Sequence, residues 1–381
     1  MMKKILLFAM AAVAALMPVT TFAEEAEKPW KYVDAQDLRI INKGWSAEET
    51  FGKYTRLPEA LKDSIRPTLW DRQMCSSGIG VRFATNSKRV AIKYELLLNT
   101  HMVHMADTGL KGVDLYIFEG DSAWRHVNTI RPYLKNTSDN IDDMGKFVIE
   151  NTFLSNFDGE MHEYMVYLPL YDGVKEMWIK VDEDAEITKG NYDIIDSGRK
   201  IVAYGTSILQ GGCASRTGMV STSIISRRLN AEVINLGFSG DGKMDYCMSR
   251  AMAGIKDVDL YMIDPVPNCT EMMCDTLTYD FISILAKAHP ETPILMVAGP
   301  IYPYARYDSY FKNYLPAKNA AFRRNYDRLR EDGYENVYYI DSILMDGVED
   351  DGTVDGIHLT DLGFLHYANL LTPKLREILG W

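Results

Sequence analysis

The sequence predicts a two-domain chain in which an antiparallel β-sandwich precedes an α/β domain built on a parallel sheet. Three observations predict it. The 381 residues are 47% hydrophobic, enough for two moderate cores. From about Trp30 to Glu186, short runs alternate apolar and polar residues at period two, with Asn, Asp and Gly clustered between them. From Arg199 onward, strand-like and helix-like segments alternate, which implies parallel strands covered on both faces.

In chain order, Lys3 and Lys4 precede an apolar run from Ile5 to Met17, then Pro18 and Thr21-Phe22-Ala23. This is the layout of a secretory signal peptide cut after Ala23, so residues 1–23 are expected to be removed and the mature chain exported to a periplasmic or extracellular space. The apolar run is short for a bilayer span, so no membrane insertion is expected after cleavage. Residues 24–186 are the expected sandwich. Its strands include Val81–Ala84, Arg89–Tyr94, Val113–Ile117, Glu163–Leu168 and Met177–Val181. A polar stretch from Asp182 to Ser197 reads as the linker, and residues 187–381 as the second domain. Strands are expected there at Ile201–Gly205, Val233–Leu236, Leu260–Ile263, Ile294–Ala298 and Val337–Ile340. Helices are expected at Val220–Leu229, Met272–Ala288, Ala317–Glu331 and Leu362–Leu379.

A formal net charge of −12, with no basic stripe, argues against nucleic acid and anionic lipid surfaces as partners. Five cysteines (Cys75, Cys213, Cys247, Cys269 and Cys274) are an odd, sparse set. They suggest neither a disulfide framework nor a zinc spacing, and no structural metal is expected.

In open parallel sheets, functional groups gather beyond the carboxyl ends of the strands. After the first strand of the second domain stands Gly205-Thr206-Ser207. A serine on such a turn suits a nucleophile whose own N–H serves an oxyanion, and taken alone it suits a helix N-cap equally well. After the second comes Gly237-Phe238-Ser239-Gly240-Asp241-Gly242, which brings backbone N–H groups to a ligand or is plain turn chemistry. After the third, Asp264-Pro265-Val266-Pro267-Asn268 offers a side-chain amide to an oxyanion, or an Asx turn. Before the last helix, Asp355-Gly356-Ile357-His358 can set a carboxylate against an imidazole, which then takes a proton from serine.

Ser, Gly, Asn and Asp-x-x-His in that order resemble the SGNH (GDSL-like) hydrolase superfamily from about Lys200 to the C-terminus. The resemblance implies a flavodoxin-like domain and maps the family's nucleophile onto Ser207, its oxyanion donors onto Ser207, Gly240 and Asn268, and its Asp–His pair onto Asp355 and His358. The first block reads Gly-Thr-Ser where Gly-Asp-Ser is commoner. The third reads Pro267-Asn268-Cys269 in place of Gly-x-Asn-Asp. Gly112-Val113-Asp114-Leu115-Tyr116, with Tyr54–Pro58 and Tyr167–Gly173, resembles the GxDLY β-domain that precedes one group of SGNH-type esterases, and is given a structural role here. The implied activity is a serine ester hydrolase that needs no cofactor and acts on a small-molecule or glycan ester, with short acyl groups on carbohydrate favoured. A lipid or thioester acylhydrolase is the alternative within enzymes. A carbohydrate-binding protein without turnover is the alternative outside them.

His101 and His104 are read as ordinary loop histidines, with substrate contact as the other reading and no third metal ligand in view. Trp45, Trp70 and Trp124 are read as sandwich core rather than sugar-stacking platforms. His366 is read as a surface or packing residue.

Overall fold

The computed structural model describes residues 29–120, 123–132, 146–190, 198–342 and 349–381, so the expected signal peptide at 1–23 lies outside the described residues. Among the described residues, ten strands make up the first part: β1 (Trp30–Asp34), β2 (Arg39–Ile41), β3 (Gly80–Thr85), β4 (Val90–Leu96), β5 (Val113–Glu119), β6 (Ala123–Ile130), β7 (Val148–Leu154), β8 (His162–Tyr167), β9 (Val174–Asp182) and β10 (Ile187–Thr188). They pair antiparallel into a four-stranded sheet, order β1-β9-β4-β7, and a six-stranded sheet, order β10-β3-β8-β5-β6 with β2 also on β3. Alternate residues of the facing strands, among them Val81, Phe83, Ile92, Tyr94, Tyr164, Val166, Ile179 and Val181, fill one core. β1, β2, β6, β7 and β10 are additions to the expected strands; β6 and β7 carry mixed exposure patterns that leave little period-two signal. Ile187 and Thr188, expected at the start of the second domain, pair instead with Thr85 and Ala84 of β3.

The second part carries β11 (Lys200–Gly205), β12 (Glu232–Gly237), β13 (Leu260–Asp264), β14 (Ile294–Val297) and β15 (Val337–Ile340) in a wholly parallel sheet of order β12-β11-β13-β14-β15. This is the flavodoxin-like order, whose switch point lies where connections leave β11 in opposite directions. Two short helices, α1 (Pro67–Gln73) and α2 (Asp107–Leu110), belong to the first part. α3 (Ser207–Gln210), α4 (Ser221–Leu229), α5 (Tyr246–Ala253), α6 (Glu271–Thr276), α7 (Thr278–Ala288), α8 (Ser309–Glu331) and α9 (Asp361–Leu379) complete the second. Successive strand residues point to opposite faces. Ile201 and Ala203 meet α4 and α9 through Ile225, Phe364 and Leu371. Val202 and Tyr204 meet α5, α7 and α8 through Met248, Phe281 and Phe322. The helix expected over Met272–Ala288 is two, meeting at Leu277, and α8 begins eight residues before the expected start because Asp308 caps it, accepting from the N–H groups of Tyr310 and Phe311. No helix among the described residues is long and apolar enough to cross a membrane.

Buried charge ties the two parts together. Arg56, 2% exposed, donates to the Cys75 and Arg72 carbonyls on its own side and to the Asn235 and Gly237 carbonyls at the end of β12. Asp114 of the GxDLY segment is fully buried on β5; it accepts from the Arg216 guanidinium at 2.7 Å and from the Gly218 N–H at 2.8 Å. Trp70 and Trp45 pack against the core under β11 and β12, and Trp124 lies with Tyr116 and Tyr167 on the outer face of its sheet. The expectation that these tryptophans fill the sandwich core is therefore corrected: all three face the other way, two of them because the seam with the second domain is itself apolar. Removing the Arg56 side chain takes a hydrogen bond from four carbonyl groups, of which that of Arg72 keeps the Cys75 N–H, and each buried acceptor left bare costs about 1–3 kcal/mol. Arg56→Ala is therefore expected to lower unfolding free energy by at least about 3 kcal/mol in urea titrations; a change below about 1 kcal/mol would show that the clamp carries no stability.

Candidate active site

Each expected site residue stands where a strand of the parallel sheet ends or where the last loop returns over it. β11 ends at Gly205, and Thr206 caps α3, its hydroxyl accepting from the Ile208 N–H at 3.3 Å. The cap is Thr206, so Ser207 takes the first helical position and its side chain is not engaged in capping. Ser207 is 6% exposed and opens onto the cleft. The Tyr171 hydroxyl, from the sandwich side, donates to the Ser207 carbonyl at 3.1 Å.

Ser207, His358 and Asp355 fall in line. His358 Nδ1 lies 2.8 Å from Asp355 Oδ2, and Nε2 lies 3.0 Å from Ser207 Oγ. With Nδ1–H donating to the carboxylate, Nε2 carries the lone pair and the Ser207 hydroxyl donates to it. Asp355 Oδ1 accepts from the His358 N–H at 2.8 Å and the Ile357 N–H at 3.0 Å, so the turn that presents the carboxylate is closed by the carboxylate itself. Burial works against its ionisation, but the hydrogen bonds from His358 and Ile357 outweigh that and hold the carboxyl down at about 2. α9 follows directly. Its Tyr367 hydroxyl donates to Asp264, a fully buried carboxyl at the end of β13 that burial pushes up to about 7.

The second and third strand ends face the same point. Gly240 adopts φ +74°, and space is open where its Cβ would stand. The Ser239 N–H donates to Gln210 Oε1 at 2.8 Å, fixing this loop to α3. Asn268 Oδ1 accepts from the Gly242 N–H at 3.3 Å, which leaves the amide hydrogens of Nδ2 for the cleft that Asn268 lines. The cleft, about 530 Å³, is bounded by Ser207, Gly240, Asn268 and His358 on one side and by Tyr302, Tyr304, Phe311 and Tyr314 on the other. Lys318 of α8, 5% exposed, reaches its rim and donates to the Pro267 carbonyl behind Asn268.

Residues 198–376 match the model of the GDSL-like lipase/acylhydrolase family, and residues 30–187 match the GxDLY N-terminus of SGNH-hydrolase-type esterases. A solved structure from Bacteroides ovatus, described as a GDSL-like lipase, is 31% identical to the chain, covers 92% of it and 98% of its own length, and superposes with a TM-score of 0.82. The chain belongs to the GDSL-like (SGNH) hydrolase family. Its fold is shared more distantly with a salicylyl acyltransferase from a tetracycline biosynthetic pathway (15% identity, 92% and 97% of the two chains, TM-score 0.70). It is also shared with a family two carbohydrate esterase from Clostridium thermocellum in complex with cellohexaose (15% identity, 80% and 94%, TM-score 0.58). No curated protein sequence matches.

Several residues of this GDSL-like site escaped the sequence reading. His104, read as an ordinary loop histidine with substrate contact as the other reading, is an exposed loop residue whose ring centroid lies 5.7 Å from that of His358. His101 is exposed beside Asp107. Gln210, Tyr171 and Arg56 support the serine and glycine turns from behind; Arg56 and Tyr171 lie in the segments that resemble the GxDLY domain, but nothing along the chain ties them to the site, and no local pattern marks Gln210. The tyrosines of the far wall were hidden because Tyr is common in this chain, with 23 residues.

A Cβ on Gly242 would stand 2.0 Å from the Gly205 carbonyl oxygen, backbone against backbone, whereas Gly240 faces only the strain of its positive φ. Gly240→Ala is expected to cost about 1 kcal/mol and Gly242→Ala to cost more, read from denaturation midpoints; equal costs would show that the turn yields. Asp355, depressed from its ordinary 3.8 to about 2, contributes stability that is present above pH 4 and lost as pH falls towards 2. Asp355→Asn should flatten the acid limb of the stability curve in that window.

Proposed function

We propose that the protein is an exported serine ester hydrolase that removes short acyl groups, acetyl foremost, from carbohydrate. The observation that carries the catalytic part is the unbroken line from Asp355 through His358 to the Ser207 hydroxyl, with spacings of 2.8 Å and 3.0 Å.

Asp355 holds the imidazole in the tautomer that leaves Nε2 basic. His358 takes the Ser207 proton as Oγ attacks the ester carbonyl carbon. Negative charge then gathers on the former carbonyl oxygen, facing the N–H groups of Ser207 and Gly240 and the Nδ2 of Asn268. Collapse expels the alcohol, which leaves with the proton from His358, and Ser207 keeps the acyl group. His358 next takes a proton from water; the hydroxide adds to the acyl carbon, and the acid departs as the proton returns to Ser207. The chemistry calls for no cofactor.

Support for the substrate class is of a different kind. The cleft has room for a short acyl chain, and its lining includes the aromatic side chains of Tyr302, Tyr304, Phe311 and Tyr314, a residue type that packs against sugar rings. The family two carbohydrate esterase shares the fold. The signal-like first 23 residues support export. Ser207, His358 and Asp355 standing in reach of one another count against a binding protein without turnover.

Ser207→Ala is expected to lower p-nitrophenyl acetate turnover by at least about 10³-fold with the circular dichroism spectrum unchanged, and Asp355→Asn by about 10²–10⁴-fold. Wild-type rates in Ser207→Ala would overturn the assignment. Along a series of p-nitrophenyl esters, kcat/KM should be highest at two to four carbons; a maximum at eight or more would favour a lipid acylhydrolase.

A further inference from the structure

Three soft or borderline donor side chains converge beside the triad from three separate segments. His104 comes from the loop between β4 and α2, Cys213 from the turn after α3, and His358 from the loop before α9. One ligand atom from each lies within 4.8 Å of the other two. Sequence spacing gave no zinc pattern, because these donors stand more than a hundred residues apart. Cys213 is 6% exposed and held against the histidine loop by its N–H, which donates to the Leu359 carbonyl at 3.0 Å. His104 is exposed, and its ring is tilted 51° to that of His358, so the two are neighbours without being stacked.

We infer that His104, Cys213 and His358 form an inhibitory zinc site that takes the catalytic base out of use. The inhibitory half of this rests on the esterase reading above; the binding half does not. Two imidazoles and a thiolate match the ligand preference of Zn²⁺, with water as the fourth ligand. Tetrahedral bonds of about 2.0–2.3 Å set donors roughly 3.3–3.6 Å apart, so the largest gap must close by a little over 1 Å. Rotation of the exposed His104 side chain closes the gaps to His104, and a side-chain adjustment of Cys213 closes its gap to His358. Binding displaces the Cys213 thiol proton to solvent and leaves the metal oxidation state unchanged. Whichever ring nitrogen of His358 is taken, the base is lost: Nε2 faces Ser207 and Nδ1 holds Asp355. Because His104 belongs to the sandwich and the other two to the hydrolase domain, the metal also joins the two domains.

The test uses the full chain with Co²⁺ as a spectroscopic probe and Zn²⁺ as competitor, alongside turnover of p-nitrophenyl acetate. The expected result is one equivalent of metal, a thiolate-to-cobalt charge-transfer band displaced by Zn²⁺, and inhibition reversed by EDTA. His104→Ala should weaken Zn²⁺ binding at least tenfold. Cys213→Ser should abolish the charge-transfer band, with inhibition constants referred to each variant's own metal-free rate. A wild-type chain without the cobalt–thiolate band, or Zn²⁺ affinity unchanged in His104→Ala, would overturn the site and leave the esterase standing. Metal binding with this signature in a chain that hydrolyses no ester would uphold the site and remove the esterase reading instead.

Discussion

Arg56 is a guanidinium sealed from water at the seam of two domains, and so it must find its hydrogen-bond partners in the protein. It finds them in the carbonyls of Arg72, Cys75, Asn235 and Gly237. A buried cation is tolerated only where such acceptors are fixed, so the domains cannot shift relative to one another without leaving charge and carbonyls unpaired. Burial draws its pKa down to about 10, which still leaves it charged. Two of its four partners are backbone at the end of β12, immediately before the turn that carries Ser239 and Gly240. The sandwich is thereby part of the scaffold of the site, and Tyr171, bonded to the Ser207 carbonyl, extends the same dependence to the serine turn.

The parallel sheet explains why these particular residues meet. Strand order β12-β11-β13 sends the connections on either side of β11 in opposite directions, opening a crevice at the carboxyl ends. The Ser207, Gly240 and Asn268 turns ring that crevice. His358 and Asp355 arrive from the far end of the chain, held over it by α9, whose Tyr367 reaches down to Asp264 beneath the strands. Gly242 is the tightest point: its Cα hydrogen side faces the Gly205 carbonyl so closely that two turns share the space one side chain would need.

The period-two runs at Val81–Ala84, Arg89–Tyr94 and Val113–Ile117 were legible because one face of each strand fills the apolar sandwich core while the other carries polar or small residues such as Arg82, Lys93 and Asp114, and the apolar runs of the parallel strands were legible because both faces meet apolar cores. β6 and β7 were not legible, because their exposure patterns do not alternate cleanly. The catalytic blocks were visible as an ordered set, Ser207, Gly240, Asn268, Asp355 and His358, each following a strand or preceding the last helix. The aromatic lining, Lys318 and Gln210 were invisible because nothing in their neighbourhoods distinguishes a cleft residue from any other half-buried one, and His104 was in view only as one of two loop histidines. The tryptophans were misplaced for the same reason: the sequence marks an apolar side chain for burial without saying against which core.

The sequence by itself determined the two textures of the chain, the hydrolase family they belong to and which residue types carry chemistry, since periodicity and motif order are properties of local backbone and of sequence alone. Tertiary structure alone decided the 3.0 Å approach of His358 to Ser207 across a separation of 151 residues, the sealing of Arg56 and Asp114 between domains, and the meeting of His104 with Cys213. Those facts depend on where the sheet's switch point and the domain seam bring distant loops together, and distances across such a seam have no signature along the chain.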